Sequence, residues 1–339
     1  MKETEFIEKV KGDIKTVIEE YESDPSIDIE TEDKQFNISY QLLWDMIKMK
    51  VRGSAISFSS FQKKEGNKKE KELRYKLSLL DEKLLENNLP SVYQEREGIE
   101  LELKILREKN VKGIITRAKA RWQVEGEKGS NYFCNLEKKH YTEKIIPKLV
   151  LEDETEITDT SSIRNEQKQF YKKLYTSCKP LLLETHRDTF LQHDNPFITK
   201  PNEEEVGSCE GLLTMQECLS SLKLMKNSKS PGIDGFTVEF YKFFWNDIKI
   251  PLVRCLNEAL EYGKFSITQR QGLITCIPKE GKSKFYLKNW RPITLLCVDY
   301  KIATASLANR LKKVLVNIIS QTQKGFLKGR YIGECTRFI

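Results

Sequence analysis

The chain has 339 residues, 39% of them apolar and 32% charged, and its net charge is +7. That balance excludes disorder throughout, because the chain carries enough apolar surface for a sizeable core. No apolar run approaches membrane-spanning length, and the start MKETEFIEKVKGD is too polar for a signal peptide, so a non-secreted chain without a membrane partner is expected.

Residues 1–125 read as helical. Leu73, Leu77, Leu80 and Leu84 recur at helical spacing, Pro90 interrupts, and Ile99, Leu103, Leu106, Val111, Ile114, Ala118 and Trp122 make a second run. Two long amphipathic helices around a proline-containing turn form an antiparallel hairpin. The segment FQKKEGNKKEKE (61–72) reads as an exposed connection or a frayed helix start. Residues 126–204 form a connecting region, with strand, turn and strand in 145–159 and an acidic linker ending near Pro201.

Residues 205–339 carry the most information. Residues 214–230 are an amphipathic helix with Cys218, Leu222 and Met225 on one side. Ser230, Pro231 and Gly232 suit a tight turn, and Asp234 is placed to cap a helix starting near Phe236. Pro251 reads as a first-turn residue of the next helix, and Gly263 follows that helix. Strands at 273–277 and 291–296 flank the basic loop 279–289. A long helix over 300–319 follows, with Leu307, Leu311, Val314 or Leu315, and Ile318 as its buried stripe.

Charge is uneven along the chain. Residues 264–339 hold fifteen Lys and Arg against Glu280, Asp299 and Glu334, a net of +12, whereas 150–210 is acidic. A basic C-terminal third points to a polyanion; the competing reading, a solubilising surface, is weaker because the charges cluster at turns. The eight cysteines include no CxxC pair and several lie in apolar runs, so they read as reduced core residues. His140, His186 and His193 are scattered, and no metal site is expected.

Two constellations suggest chemistry. Lys226 and Lys229 precede the turn at 230–235 and an open helix end, which together suit a phosphate backbone; an ordinary capped helix would look much the same. In the strand pair, Lys279 leaves the first strand and Arg291 enters the second, with Lys282, Lys284 and Lys288 in a mobile loop between them. A planar guanidinium and a lysine at one hairpin end could clamp a triphosphate, and Pro292 suits an edge strand. A basic exposed hairpin with no ligand is the competing reading.

The stretches KNSKSPGIDGFTVEFYKFFW, LITCIPKEGKSKFYLKNWRPITLLCVDYKIATASLANRL and QTQKGFLKGRYI, in this order and spacing, resemble the fingers of a LINE-type (non-LTR) retrotransposon reverse transcriptase. ARWQVEGEKGSNYFCNLEKKH (120–140) resembles the segment just before that domain, and the upstream hairpin resembles the family's tower or linker. The resemblance implies an α+β, mostly helical chain: a helical tower over 1–125, a connecting segment over 126–204, and over 205–339 the fingers of a right-hand polymerase with the palm truncated. It also implies roles residue by residue. Lys279 and Arg291 would hold nucleotide phosphates. Lys226, Lys229, Ser230, Gly232, Asp234, Gly235, Lys282, Lys284, Lys288, Arg310, Gly325, Phe326, Lys328 and Arg330 would lie along RNA template and DNA primer. The family's catalytic carboxylates, which hold Mg²⁺ in the full-length enzyme, belong to palm motifs beyond GECTRFI. A truncated RNA-directed DNA polymerase is therefore expected, one that binds nucleic acid and deoxynucleotide phosphates without catalytic residues, metal or cofactor of its own, in a cytoplasmic or nuclear ribonucleoprotein. A domesticated nucleic-acid-binding module and a structural helical interaction protein remain as alternatives.

Overall fold

Long runs of Glu, Lys and Leu broken by few β-branched residues favour helix over strand, and the fold is mostly helical with small sheets. The computed structural model describes residues 4–24, 35–86, 89–118, 145–151, 153–176, 199–320, 322–325, 327, 329–331 and 333. The chain divides into two compact units, one made of Met1–Ser54, Lys172–Thr275 and Ile293–Ile339, the other of Ala55–Tyr171 and Cys276–Pro292.

The first unit holds the larger core. Helix α1 (Thr4–Tyr21) buries Val10, Ile14 and Val17 at 4,3 spacing. The first turns of α2 (Tyr40–Glu86) add Leu43, Trp44, Ile47 and Val51. These side chains share one cluster with Leu213, Cys218 and Leu222, with the aromatic run Phe236, Tyr241, Phe244 and Trp245, and with Val298, Ile302 and Ala303. Helix α1 and the first turns of α2 are thus part of the same core as residues 213–256 and 298–303.

Four further helices of this unit follow; the first buries no side chain and the other three build that core. Helix α5 (Glu203–Cys209) and helix α6 (Met215–Leu224) each start with a capping box, from Asn202 with Glu205 and from Thr214 with Glu217. Helix α6 ends at Leu224, earlier than its apolar pattern suggests, and 225–235 is turn. Helix α7 (Val238–Phe243) starts two residues later than expected, with Thr237 at its N-cap. Helix α8 (Trp245–Glu261) starts a turn earlier than expected, so Pro251 lies inside it. Trp245, Ile248 and Ile250 are all buried ahead of the proline, and this burial offsets the helix bond that proline cannot make. Gly263 follows the helix at φ +65°, the left-handed end that glycine favours.

After the short helix α9 (Ile267–Arg270) come strands β3 (Leu273–Pro278) and β4 (Trp290–Leu295), paired as a two-stranded sheet. Helix α10 (Val298–Ile318) buries Ile302, Ala303, Ser306, Arg310 and Val314. This stripe is rotated from the apolar one read in the sequence, since Leu311 is 48% exposed. Polar side chains take the inner face because partners await them. The Ser306 hydroxyl donates to the Ile302 carbonyl and bonds the Ser221 hydroxyl, both at 2.9 Å.

In the second unit, α2 continues unbroken through 61–72, correcting the expected connection. Lys and Glu are good helix formers, and pairs such as Glu70 with Arg74 (2.6 Å) add local support. Helix α3 (Pro90–Ala118) starts at Pro90, where a missing N–H costs nothing. The two helices are antiparallel, with Lys69 bonded to Glu102 at 3.1 Å and Arg96 to Asp81 at 2.7 Å. Leu73, Leu80 and Leu103 are buried. Strands β1 (Leu149–Val150) and β2 (Glu156–Ile157) pair antiparallel with Leu149 opposite Ile157, and helix α4 (Thr160–Tyr175) follows. The described cysteines Cys209, Cys218, Cys255, Cys276 and Cys297 are free. Among the described residues no helix is long and apolar enough to cross a membrane.

Candidate nucleic-acid interface

The lysine turn ahead of α7 is braced from behind. The Lys242 ammonium donates to the Met225 carbonyl (2.7 Å) and to Asn227 Oδ1 (2.9 Å). The Glu239 carboxylate accepts the Ser228 N–H, which holds Ser228 at φ +58°. Lys226 and Lys229 are left exposed on the outside of the bend. The Gly235 N–H closes the corner on the Gly232 carbonyl at 3.2 Å, with Gly235 at φ +83°.

Gly232 is buried against backbone. A Cβ there would lie 2.5 Å from the Cys297 nitrogen and 2.7 Å from the Leu296 carbonyl carbon. Backbone cannot retreat as a side chain would. Gly232→Ala is therefore expected to cost about 1–3 kcal/mol, read as a lower urea midpoint. A midpoint equal to the parent's would refute this packing.

Asp234 does not cap a helix. Its Oδ1 accepts the Phe236 N–H at 3.2 Å, the residue is 8% exposed, and Oδ2 has no hydrogen-bond partner. Burial, and then repulsion from Asp299, push its carboxyl above the usual range. Asp299 itself is fully buried and well satisfied. It accepts from Trp44 Nε1 (2.9 Å), Lys48 Nζ (3.0 Å), its neighbour's N–H on Tyr300 (2.7 Å) and, more weakly, Gln269 Nε2 (3.5 Å). Burial alone would lower the Lys48 amine, but Asp299 and Asp45 outweigh it and hold the amine above its ordinary value. Sequence reasoning missed this cluster, because Lys48 and Asp299 lie 251 residues apart and the local pattern around neither one points to the other.

In the second unit the expected mobile loop is internally bonded. The Lys279 N–H donates to the Asn289 carbonyl (2.8 Å), and its ammonium to the Lys288 carbonyl (2.8 Å). Asn289 Nδ2 and Trp290 Nε1 reach back to the carbonyls of Ser283 and Lys284, each at 2.9 Å. Leu287 is buried in a small cluster with Leu149 and Ile163, and the Val150 N–H bonds the Phe285 carbonyl. Lys282, Lys288 and Arg291 are exposed, and Lys284 is half-buried. The cations therefore sit on an anchored frame. Lys279 stands beside Asn289, and Arg291 lies two residues further along the partner strand.

The remaining expected residues are placed differently. The Arg310 guanidinium faces protein on every side, pairing with Glu217 (2.7 Å) and donating to the carbonyls of Glu210 (2.9 Å), Gly211 and Leu212 (both 2.7 Å). Arg330 donates to the carbonyls of Val316, Ile319, Ser320 and Gln323 at 2.6–2.9 Å, closing the end of α10. Ser230 and Gly325 are half-buried, while Phe326 and Lys328 lie outside the described residues.

Among the described residues one group, Asp234, Cys297 and Asp299, has donor atoms close enough together to share an ion. It does not fit Mg²⁺. That ion wants an octahedron of oxygens and keeps several waters, whereas here one donor is a thiol, the Asp299 oxygens already accept protein donors, and the Lys48 ammonium sits 3.0 Å away.

No protein-family profile matches the chain. Over 230 residues, 68% of its length, it is 33% identical to the Transposon TX1 uncharacterized 149 kDa protein of Xenopus laevis. It is a non-LTR, LINE-type retrotransposon protein. A second relative agrees: the putative 115 kDa protein in type-1 retrotransposable element R1DM of Drosophila melanogaster is 26% identical over 137 residues, 40% of the chain. The stretch shared with this retrotransposon protein spans 17% of the first relative and 13% of the second.

Proposed function

We propose that this stretch of the retrotransposon protein is the fingers part of a reverse transcriptase, with the α2–α3 hairpin as its tower-like linker. It binds RNA template and DNA primer, and Lys279 and Arg291 hold the phosphates of the incoming nucleotide. The observation that carries this reading is the anchored hairpin. Five cations (Lys279, Lys282, Lys284, Lys288, Arg291) against the single acid Glu280 are fixed on a frame held by Leu287 and Trp290. A frame of this kind presents charge to a polyanion with little ordering cost. The lysine turn at 226–235 adds two exposed cations and one exposed glycine, Gly235, where a strand can approach backbone. Arg310 and Arg330 serve from behind, by holding α10. The role assigned to these residues is binding; no chemical step is assigned to Asp234 or Asp299.

The test is RNA binding by fluorescence anisotropy over a range of salt. The parent chain is expected to lose affinity steeply as salt rises, because phosphate contacts release counterions. Lys279→Ala with Arg291→Ala is expected to weaken binding for all sequences and to reduce the salt slope by about one to two. Salt-insensitive binding, or none, would favour a structural helical interaction protein.

A further inference from the structure

Unit one contains a cleft of about 460 Å³ that uses none of the residues assigned above. It is built where the start of α2 meets the loop from α8 into α9. The Gln41 N–H donates to a Glu258 carboxylate oxygen (2.6 Å), and the Gln41 amide donates to the Lys264 carbonyl (2.9 Å). Ser266 caps α9 through a box closed by Gln269. Phe265, in the lining, is held edge-on against Tyr300, ring centroids 5.1 Å apart. These bonds fix the walls, and the volume falls in the range of small-ligand sites.

The rim is chemically distinctive. Tyr262, the C-cap residue of α8, is 76% exposed, so its ring is open to solvent. Lys264 and Arg270 stand exposed around the same opening. Among the described residues, neither the Lys264 ammonium nor the Arg270 guanidinium has a hydrogen-bond or ion-pair partner. The one carboxylate lining the cleft, Glu258, is already engaged by the start of α2. An exposed ring beside two unengaged cations, over a fixed aromatic wall, is the combination that takes an unpaired nucleotide: the base stacks and the phosphate is neutralised. A duplex presents no free base face to such a ring.

We infer that this cleft is a single-strand contact, in which Tyr262 stacks a base and Lys264 and Arg270 hold the adjoining phosphate. It rests on the nucleic-acid reading above and extends it to residues that reading does not use.

The experiment uses the full chain and a single-stranded RNA dodecamer carrying one 2-aminopurine, beside a duplex of the same sequence. Tyr262→Leu is expected to weaken single-strand binding about fivefold or more and to abolish the stacking quench, with duplex affinity unchanged. Arg270→Ala is expected to lower the single-strand salt slope by about 0.7. Both side chains are exposed, so both variants should fold; circular dichroism checks this. Parent-like single-strand binding and quench in both variants would overturn the inference even if Lys279→Ala with Arg291→Ala still loses affinity. The reverse pattern, loss only with Tyr262 and Arg270, would keep the cleft and sink the hairpin assignment.

Discussion

Asp299→Ala is expected to cost about 3–5 kcal/mol of folding stability, the usual penalty for removing one partner of a buried ion pair. Against a total of about 5–15 kcal/mol for a typical domain, that loss is a third or more of the stability over much of the range. Asp299 is completely buried, and its oxygens accept from Trp44, Lys48 and Tyr300 within 3.0 Å. Its removal leaves the Lys48 ammonium, 6% exposed, with Asp45 (3.1 Å) and the Thr268 hydroxyl (3.1 Å) alone. The indole N–H of Trp44 loses its acceptor as well. Lys48→Met in the same background should recover part of the loss, because the stranded charge is then gone while the indole remains unpaired. The measurement is a double-mutant cycle by urea unfolding. Single variants within about 1 kcal/mol of the parent would show that the pair does not hold the core. One consequence reaches the candidate interface. Asp299 raises the carboxyl of Asp234 at the Pro-Gly corner, so the corner and the first turns of α2 share one electrostatic environment.

The parts of this molecule legible in the sequence are those written as local pattern. The leucine ladder of α2, Pro90 at the head of α3, Gly263 after α8 and both strands of the hairpin all follow from spacing and turn chemistry. What escaped notice was written as long-range pairing. The inner face of α10 is legible only in part, at Val314 and the partly buried Leu307, because Ser306 and Arg310 look like surface residues until Ser221 and Glu217 are brought opposite them. The charged run 61–72 reads as a connection or a frayed helix start when composition is weighed above helix propensity, and it is continuous helix. The chemistry of the hairpin cations was visible in the sequence, but not their fixing. That depends on Leu287 meeting Leu149 and Ile163, more than a hundred residues upstream. The cleft at Tyr262 left no sequence signal, since its residues come from two distant stretches, 39–41 and 258–270, and form no motif.

The second large effect is expected at Arg310. Its Nε donates to Glu217, and its two terminal nitrogens reach Glu217 again and the carbonyls of Glu210, Gly211 and Leu212, all within 2.9 Å. One planar fork thereby ties α10 to α6 and to the loop before it, and satisfies carbonyls that bend inward there. Arg310→Ala removes donors from several partly buried acceptors at once and is expected to cost about 3 kcal/mol. Arg310→Lys should lose nearly as much, because an ammonium cannot serve acceptors spread around a planar fork. The pH dependence gives a second, independent reading. Hydrogen bonding from Arg310 holds the Glu217 carboxyl down to about 2, against an ordinary value of 4.5. A carboxyl depressed on folding contributes stability that is complete above its unfolded value and is lost as pH falls through its folded one. The stability gap between the parent and Arg310→Ala should therefore be widest above pH 4.5 and narrow as the pH falls toward about 2. Urea midpoints for both chains at pH 7, 5, 4 and 3 check this. A gap that stays constant across that range would mean that the carbonyls, and not Glu217, account for what Arg310 contributes.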